Sequence, residues 1–481
     1  MDGLECNELL FSGVKLKSQT MRYDSEYFSK KVMDTEDFIM QNNHFFLKEE
    51  NVVSGPFGST LKSSSYLTKG DIAFVRIDNI KGGFFIDRED LMYISNYDNG
   101  RISNSQLFTD DLILSKVGNS IGYFARVDSE LGTCNISENN IGIKLSEYEQ
   151  IHKHTILVYL NSKYGQILLL RRKSGNAQPK LNVNDVSYIP IPIFTDDLMK
   201  KISNLILTSD KLMLSSKDIY KNVETCLLDK LKFDFSSISS KGTTEKSLSK
   251  SFGSTGRLDA EYYQPKYDDL FAALGRMHTK PLGQIVSITK SIEPGRLYYG
   301  SEGVPFIRVS DVSTMGINTP SIKIPKTTVP SIENLYPRKD TILFSKDGSV
   351  GIAYKVEKDM TAVTSGALLH FSVKNTREVL PDYLTLVLNS EIVQLQAERD
   401  SSGAIIQHWK LSDIEKVVIP ILPINVQHEI SEKVLESFTL RRQAEKLIQI
   451  AIKAVEIAIE NDEAAALKWI ESSICTDFLD F

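Results

Sequence analysis

Much of what a catalyst needs is missing from this sequence. No GxxxxGK[ST] run offers backbone amides and a lysine to nucleotide phosphates, and the nearest stretch, GPFGSTLKSSS at residues 55–65, has the wrong spacing. There is no GxGxxG dinucleotide fingerprint and no NPP[YF] tetrapeptide, and the seven histidines fall into no HExxH-like pattern. Pro381-Asp382 opens like a nuclease motif, but no ExK follows it nearby. Cysteine is scarce: Cys6, Cys134, Cys226 and Cys475 are scattered, with no CxxC pair and no histidine cluster to complete a zinc site, so reduced, ordinary thiols are expected. No apolar run approaches the roughly 20 residues that span a bilayer, so no membrane partner is expected. The opening MDGLECNELLFSGVKLKS lacks the basic, apolar, small order of a secretory signal, and the expected location is the cytoplasm.

The chain has 481 residues, room for two or three domains at roughly 150 residues each. Its formal net charge of −6 disfavours a polyanion partner, yet the charge is polarised. Residues 152–184 hold Lys153, Lys163, Arg171, Arg172, Lys173 and Lys180 and no acid, whereas the C-terminal stretch is acidic. Such a basic run reads equally well as a solvated helix face.

The chain is also written twice. RYDSEYF (22–28) returns as RLDAEYY (257–263), FVRIDNI (74–80) as FIRVSDV (306–312), and ILSKVGNSIGYFARV (113–127) as ILFSKDGSVGIAYKV (342–356). YLNSKYGQ (159–166) returns as VLNSEIVQ (387–394), and RRKSGNAQPKLNVNDVSYIPIPI (171–193) as ERDSSGAIIQHWKLSDIEKVVIPIL (398–422). The order is kept, which makes this a divergent duplication and not a solenoid of short repeats. Each half carries β-rich runs, a glycine-turned hairpin, helices and a proline-punctuated extended segment.

A long helix follows each proline segment. Leu198, Ile202, Leu205, Leu212, Ile219, Val223 and Cys226 keep an alternating four-and-three step if Ser209 and Ser216 are polar members of the seam. From about Ile424 to Ile470 a second helix continues the step through Ile448, Ile452, Val455 and Ile459. Packing of each helix on its own domain competes with pairing of the two helices, and the equivalent places of the two copies favour pairing. Residues 236–256, rich in Ser, Thr, Gly and Lys, predict a flexible linker that lets the helices lie antiparallel. The expected organisation is a first domain at 1–194, a helix at 195–234, a linker at 235–256, a second domain at 257–423, a helix at 424–470 and a tail at 471–481. The fold class is α+β: two similar mixed domains and a pair of long antiparallel coiled-coil helices.

Small-residue loops with polar and basic tips recur in both halves. Arg and Lys suit guanine edges, Asn and Gln suit adenine, and Ser, Thr and backbone amides suit phosphates, although any single loop of this composition is equally an ordinary turn. In the first half the candidate contacts are Gly55, Phe57, Gly58, Ser59, Lys62, Arg76, Asn79, Lys116, Asn119, Lys173, Gln178 and Lys180. In the second they are Arg296, Tyr298, Arg308, Lys346, Ser349, Gln407 and Lys410. Arg76 and Arg308 fall on predicted strands at matching places, where a structural role is the competing reading.

PFGSTLKSSSYLTKGDIAFVRIDNI, GVPFIRVSDV, the paired DLILSKVGNSIG and TILFSKDGSVG hairpins, and the paired LNS helices leading through IPIPI and VVIPIL are the pieces that carry a resemblance. Together, and in this duplicated order, they resemble the specificity subunit of type I restriction-modification systems over nearly the full length. The resemblance implies two target recognition domains, each reading half of a bipartite double-stranded DNA site, and helices that dock two adenine-N6 methyltransferase subunits. Through these it implies restriction and translocase subunits, with S-adenosylmethionine, ATP and Mg held by partner chains and no catalytic, cofactor or metal site in this one. The second half departs by placing Asp347 where the first has Val117, and Glu398 and Asp400 near Arg172 and Ser174, so its DNA face looks less basic. Two alternatives stay open: a recognition subunit of a fused restriction-methylation enzyme or other methylation-based phage defence, and a coiled-coil protein-interaction scaffold.

Overall fold

A computed structural model of the chain describes residues 8–18, 22–58, 60–88, 90–175, 179–235, 238, 243–403 and 406–478. Within these, the side chains of Leu16, Asn119 and residues 476–478 are not described. The chain divides into two compact units, Met1–Met213 with Arg442–Phe481 and Leu214–Arg441. Both divisions fall inside long helices, Asp196–Leu231 and Ile424–Glu460, so each unit owns part of each helix. Part of each long helix packs in the hydrophobic core of its own unit.

The first unit is built on an antiparallel sheet in the order Val52–Ser54, Asn140–Ile143, Leu112–Ser115, Phe124–Arg126. A second sheet runs Met92–Ile94, Ile72–Val75, Thr133–Ile136, Leu107–Phe108, with a parallel pair at its centre. The second unit repeats the first sheet in the same order, Val286–Lys290, Leu368–Val373, Ile342–Ser345, Ala353–Lys355. It also repeats the parallel pair, between Val304–Ile307 and Val363–Thr364. The duplication seen in the sequence is thus a duplication of strand order.

The recurring motifs have physical jobs. In LNSxxxQ the glutamine clamps the hairpin: Gln166 Nε2 donates to the Gly122 carbonyl at 2.9 Å and Gln394 Nε2 to that of Gly351 at 2.8 Å. Both glycines have left-handed backbone, φ 91° and 88°, which the turn requires. A tyrosine of the helix leading into LNS also anchors the proline segment in each unit, though from different turns of the helix: Tyr159 Oη donates to the Pro190 carbonyl at 2.7 Å and Tyr383 Oη to that of Pro420 at 2.8 Å. In RxDxEYF the tyrosine is stacked by two arginines. Tyr27 lies under Arg171 and Arg22, at 4.1 and 5.1 Å from the guanidinium carbons, and Tyr262 under Arg257 and Arg399 at 4.4 and 5.0 Å.

On the first helix, Leu198, Ile202, Leu205 and Val223 are fully buried, and Leu212 and Ile219 pack on the cores while partly exposed. Ile448 and Val455 are likewise buried on the second helix, Ile459 nearly so, and Ile452 is partly buried. In the first unit Ser209 Oγ donates to the Ala444 carbonyl at 2.8 Å; in the second, Ser437 Oγ donates to that of Ser216 at 2.8 Å. Buried serines in a helix seam thus satisfy backbone carbonyls of the facing helix instead of being left unpaired. Within the first unit the residue pairs Thr195–Glu463 and Ser209–Ala444 run in opposite directions along the chain, so the helix parts are antiparallel there.

The second helix does not run unbroken to 470. It ends at Glu460, and a new helix, Glu463–Phe478, starts where Asp462 Oδ1 accepts the Ala465 N–H at 2.7 Å, an acidic cap that competes with helix continuation. The expected tail is therefore helical through Phe478. In the expected linker, the described residues include a short helix, Phe252–Thr255, and an ion pair from Lys246 to Asp268 at 2.6 Å. Among the described residues, no helix is long and apolar enough to cross a membrane.

Candidate nucleic-acid interface

In the first unit three candidate loops converge on Lys116. The loop after the first strand is pressed onto the turn 137–139, and a Cβ at Gly55 would lie 2.0 Å from the Ser137 carbonyl oxygen, so only glycine fits. The Gly58 N–H then donates to Glu138 Oε2 at 2.6 Å, leaving Phe57 83% exposed at the tip. Lys116 is fixed through its backbone, its N–H donating to the Asn139 carbonyl at 3.1 Å and its carbonyl accepting from Leu181 at 2.9 Å. Its Nζ reaches Ser54 Oγ at 3.2 Å. Val117 bridges to Lys180, and Ser174 exchanges both backbone hydrogen bonds with Lys180 at 2.9 Å, closing the 173–180 loop. Burial holds the Lys116 ammonium below the usual lysine range; Glu138 opposes this and Lys180 adds to it. A pocket of about 170 Å³ opens beside the cluster, lined by Gly58, Tyr66, Arg76, Asp78, Glu138 and Asn139 among others.

The second unit repeats the backbone lattice. The Lys346 N–H donates to the Ala367 carbonyl at 2.9 Å and its own carbonyl accepts from Trp409 at 2.8 Å, while Asp347–Gly348 pairs with Gln407–His408. Lys346, Asp347 and His408 therefore occupy the places of Lys116, Val117 and Lys180. Asp347 is ion-paired to Lys346 and accepts from His408 Nδ1 at 2.8 Å. Gly366 takes the place of Glu138 in the turn, and its N–H donates to the Ile292 carbonyl at 2.8 Å. The second unit therefore pairs its lysine with the next residue in the chain, Asp347, and also sets the Glu293 side chain against Gly366.

The remaining candidates are placed as follows. Lys62, Lys173 and Lys180 are exposed, and the Lys173 carbonyl accepts from Arg22 Nη1 at 2.7 Å, tying the duplicated Arg-Tyr motif to this loop. Ser59 and Gln178 lie outside the described residues, as does the side chain of Asn119. Arg296, Tyr298, Ser349, Gln407 and Lys410 are exposed, and Leu297 beside them is 99% exposed. Asn79 is a correction: it is buried, its Oδ1 accepting from the Arg76 N–H at 3.0 Å and its Nδ2 donating to the Asp87 carbonyl at 3.0 Å, so it shapes the strand end and cannot reach a groove. Arg308 is folded back on Asp311, with Nη2 to Oδ1 at 3.3 Å, and Arg76 donates to the Asp90 carbonyl at 3.1 Å. Glu138 and His408 were not among the sequence candidates. Glu138 could have been found in NISENN, a polar turn between two strands, but its counterpart in the other half is a glycine, so matching the repeats hides it.

Residues 276–454 match the family model described as type I restriction modification DNA specificity domain. The EcoBI type I restriction enzyme specificity subunit of Escherichia coli is 24% identical over 168 residues, which cover 35% of this chain and 35% of that protein, so the match spans about a third of the relative's length. Among solved structures, the type I restriction-modification S subunit from M. genitalium is 13% identical, with 90% of this chain and 95% of that one covered at a TM-score of 0.33. The HsdS subunit from Thermoanaerobacter tengcongensis is 15% identical, with 87% and 97% covered at a TM-score of 0.27. Residues 276–454 are therefore similar to a type I restriction modification DNA specificity domain.

Proposed function

We propose that the chain is the non-catalytic DNA-reading subunit of a type I restriction-modification complex in the cytoplasm, each unit reading one half of a bipartite double-stranded target. The observation that carries this reading is the repeated loop cluster: the same strand order presents Lys116 with Lys180 in one unit and Lys346 with His408 in the other. Two such clusters on one chain suit two half-sites. Exposed Lys62, Lys173 and Lys180 supply phosphate contacts, which position the protein without carrying sequence information. The helices carry the docking of two methyltransferase subunits and, through them, of restriction and translocase subunits. S-adenosylmethionine, ATP and Mg belong to those partners, and methylation and cleavage are their work.

The test is DNA binding by the full chain with its methyltransferase across a salt series. Lys173→Ala with Lys180→Ala should weaken binding to every sequence alike and flatten the salt slope by about two, one unit per phosphate contact. Unchanged binding at low salt would place the DNA face elsewhere, and binding to no DNA at any salt would favour a protein-interaction scaffold.

A further inference from the structure

We propose that Phe57 and Leu297 are apolar wedges, each inserting between two stacked base pairs of its half-site and so reading how easily that step opens. The inference deepens the reading above and rests on it. A single exposed apolar side chain is ordinary on a protein surface. Here the two most exposed large apolar side chains among the described residues, Leu297 at 99% and Phe57 at 83%, fall one in each unit and on the corresponding loop. Each stands on the connection from the first strand of the repeated sheet, Val52–Ser54 or Val286–Lys290, to a strand of the parallel pair, Ile72–Val75 or Val304–Ile307. Each connection then lays a tyrosine on that strand's phenylalanine, Tyr66 on Phe74 with ring centroids 5.0 Å apart and Tyr299 on Phe306 at 5.4 Å.

Both tips hang from the turn that fixes the lysine of the loop cluster. In the first unit the Gly55 N–H donates to the Asn140 carbonyl at 3.4 Å, next to the Asn139 carbonyl that takes the Lys116 N–H. In the second the Gly366 N–H donates to the Ile292 carbonyl at 2.8 Å, next to the Ala367 carbonyl that takes the Lys346 N–H. Both tips are also stiff. The Thr60 N–H closes a turn onto the Phe57 carbonyl at 2.8 Å, and the Tyr298 and Tyr299 N–H groups close one around Leu297, onto the Gly295 and Arg296 carbonyls at 3.2 Å each. A stiff apolar tip left in water gains by leaving it and has little order to lose on doing so. Exposed cations accompany the tips: Arg296 precedes Leu297, and Lys62 follows Phe57 in its loop. The nearby acids are engaged inside the cluster, Glu138 with the Gly58 N–H and Glu293 against Gly366. The base stack is the apolar part of a duplex and lies between two phosphate strands, so an apolar tip with cations beside it matches a base step better than an apolar protein groove. Opening a step costs stacking energy that differs between sequences, so a wedge selects sequence without a hydrogen bond to any base.

The test uses the full chain with its methyltransferase and a duplex of the motif that the native strain methylates. The fluorescent base 2-aminopurine, which brightens when unstacked, is placed in turn beside every step of both half-sites, the methylated adenines excepted. One step in each half-site is expected to brighten on binding. Phe57→Ala should abolish the signal in one half-site only and Leu297→Ala in the other only, each weakening binding by about tenfold while leaving the salt slope unchanged. Phe57→Trp and Leu297→Phe should keep the signal. Both side chains are exposed, so neither truncation opens a core. No brightening away from the methylated adenines overturns the proposal, as does brightening that survives both alanine variants or is lost from both half-sites by one of them. Loss of the methyltransferase from either alanine variant in the absence of DNA also overturns it, and makes the tips a protein-docking surface. Failure of the unsubstituted chain to bind DNA at any salt refutes the DNA-reading role itself, a result distinct from all of these.

Discussion

Arg126 and Lys355 stand at the same place in the two units and are anchored differently. Each lies opposite the first residue of the central hairpin strand, Leu112 or Ile342, and each faces an aspartate with left-handed backbone, Asp110 at φ 71° or Asp340 at φ 64°. In the first unit the buried guanidinium is held between Asp110 and Asp210 of the long helix, while His154 Nε2 stands 3.5 Å from Asp110 and its Nδ1 2.8 Å from Ser203 Oγ. Burial pushes the Asp110 carboxyl up, but His154 and Arg126 outweigh it and hold the carboxyl far below its ordinary range. In the second unit Lys355 pairs with Asp382 at 2.7 Å and Asp340 at 3.7 Å, and the long helix contributes Phe438, whose ring lies 6.5 Å from that of Tyr354 and 6.2 Å from that of Tyr220. The duplication kept a cation at the strand end and a contact to the helix, but let the helix contact go from ionic to aromatic. An ionic anchor fixes orientation and fails badly when half of it is removed; an aromatic one works by burial and tolerates change.

The largest effect should follow from breaking the ionic anchor. Arg126→Ala leaves two acids without their cation and should cost the first unit about 3–5 kcal/mol. Lys355→Ala removes a less buried charge and should cost clearly less, about 1–3 kcal/mol. Hydrogen exchange of the strands Leu112–Ser115 and Ile342–Ser345 reads each unit separately, and equal losses would erase the distinction.

Acid should separate the units next. His370 faces Leu343 in the sheet, where the first unit has Gly142 facing Ile113. Burial lowers its pKa from 6.5 to about 4. The folded second unit therefore binds fewer protons than the unfolded chain, and the stability this residue confers is full above pH 6.5 and is lost as the pH falls towards 4. The shift of 6.5 − 4 = 2.5 corresponds to about 3 kcal/mol. Unfolding followed between these pH values should show the second unit weakening through this window, and His370→Gln should remove that part of the slope.

A smaller effect concerns the loop that presents the candidate contacts. Gly55→Ala drives a Cβ into the Ser137 carbonyl and should destabilise that loop by about 1–3 kcal/mol, seen as faster exchange at Gly58. Gly366→Ala meets only the flexible Glu293 side chain at 3.1 Å and should be better tolerated. The smallest is in the helix seam, where Ser209→Ala removes one buried donor from the Ala444 carbonyl and should cost about 1 kcal/mol in thermal unfolding.

These contrasts also show what could be read from the chain. The duplicated blocks translate into duplicated strand order because each block holds the residues of one backbone task, such as Gln166 and Gln394 on the hairpin glycines. Serines 209 and 216 fit the helical step because the Ser209 hydroxyl donates to the Ala444 carbonyl and the Ser216 hydroxyl pairs with that of Ser437, which donates to the Ser216 carbonyl. The break at Asn461–Asp462 was hidden, since the apolar spacing continues to Ile470 while a capping carboxylate restarts the helix. Asn79 looked like a groove-reading tip because sequence cannot distinguish an exposed amide from a buried one that closes a strand end. Glu138 was illegible for a different reason: its counterpart is Gly366, and only the folded turn brings it against the Gly58 loop, whereas Asp347 follows Lys346 directly in the sequence.

The central claim, that this chain chooses the DNA sequence on which its complex acts, is tested most directly by methylome sequencing of the native strain with and without the chain while its methyltransferase stays expressed and active. The account predicts a bipartite adenine-methylated motif with a fixed gap that disappears when the chain is deleted. A methylome identical in the two strains would contradict it.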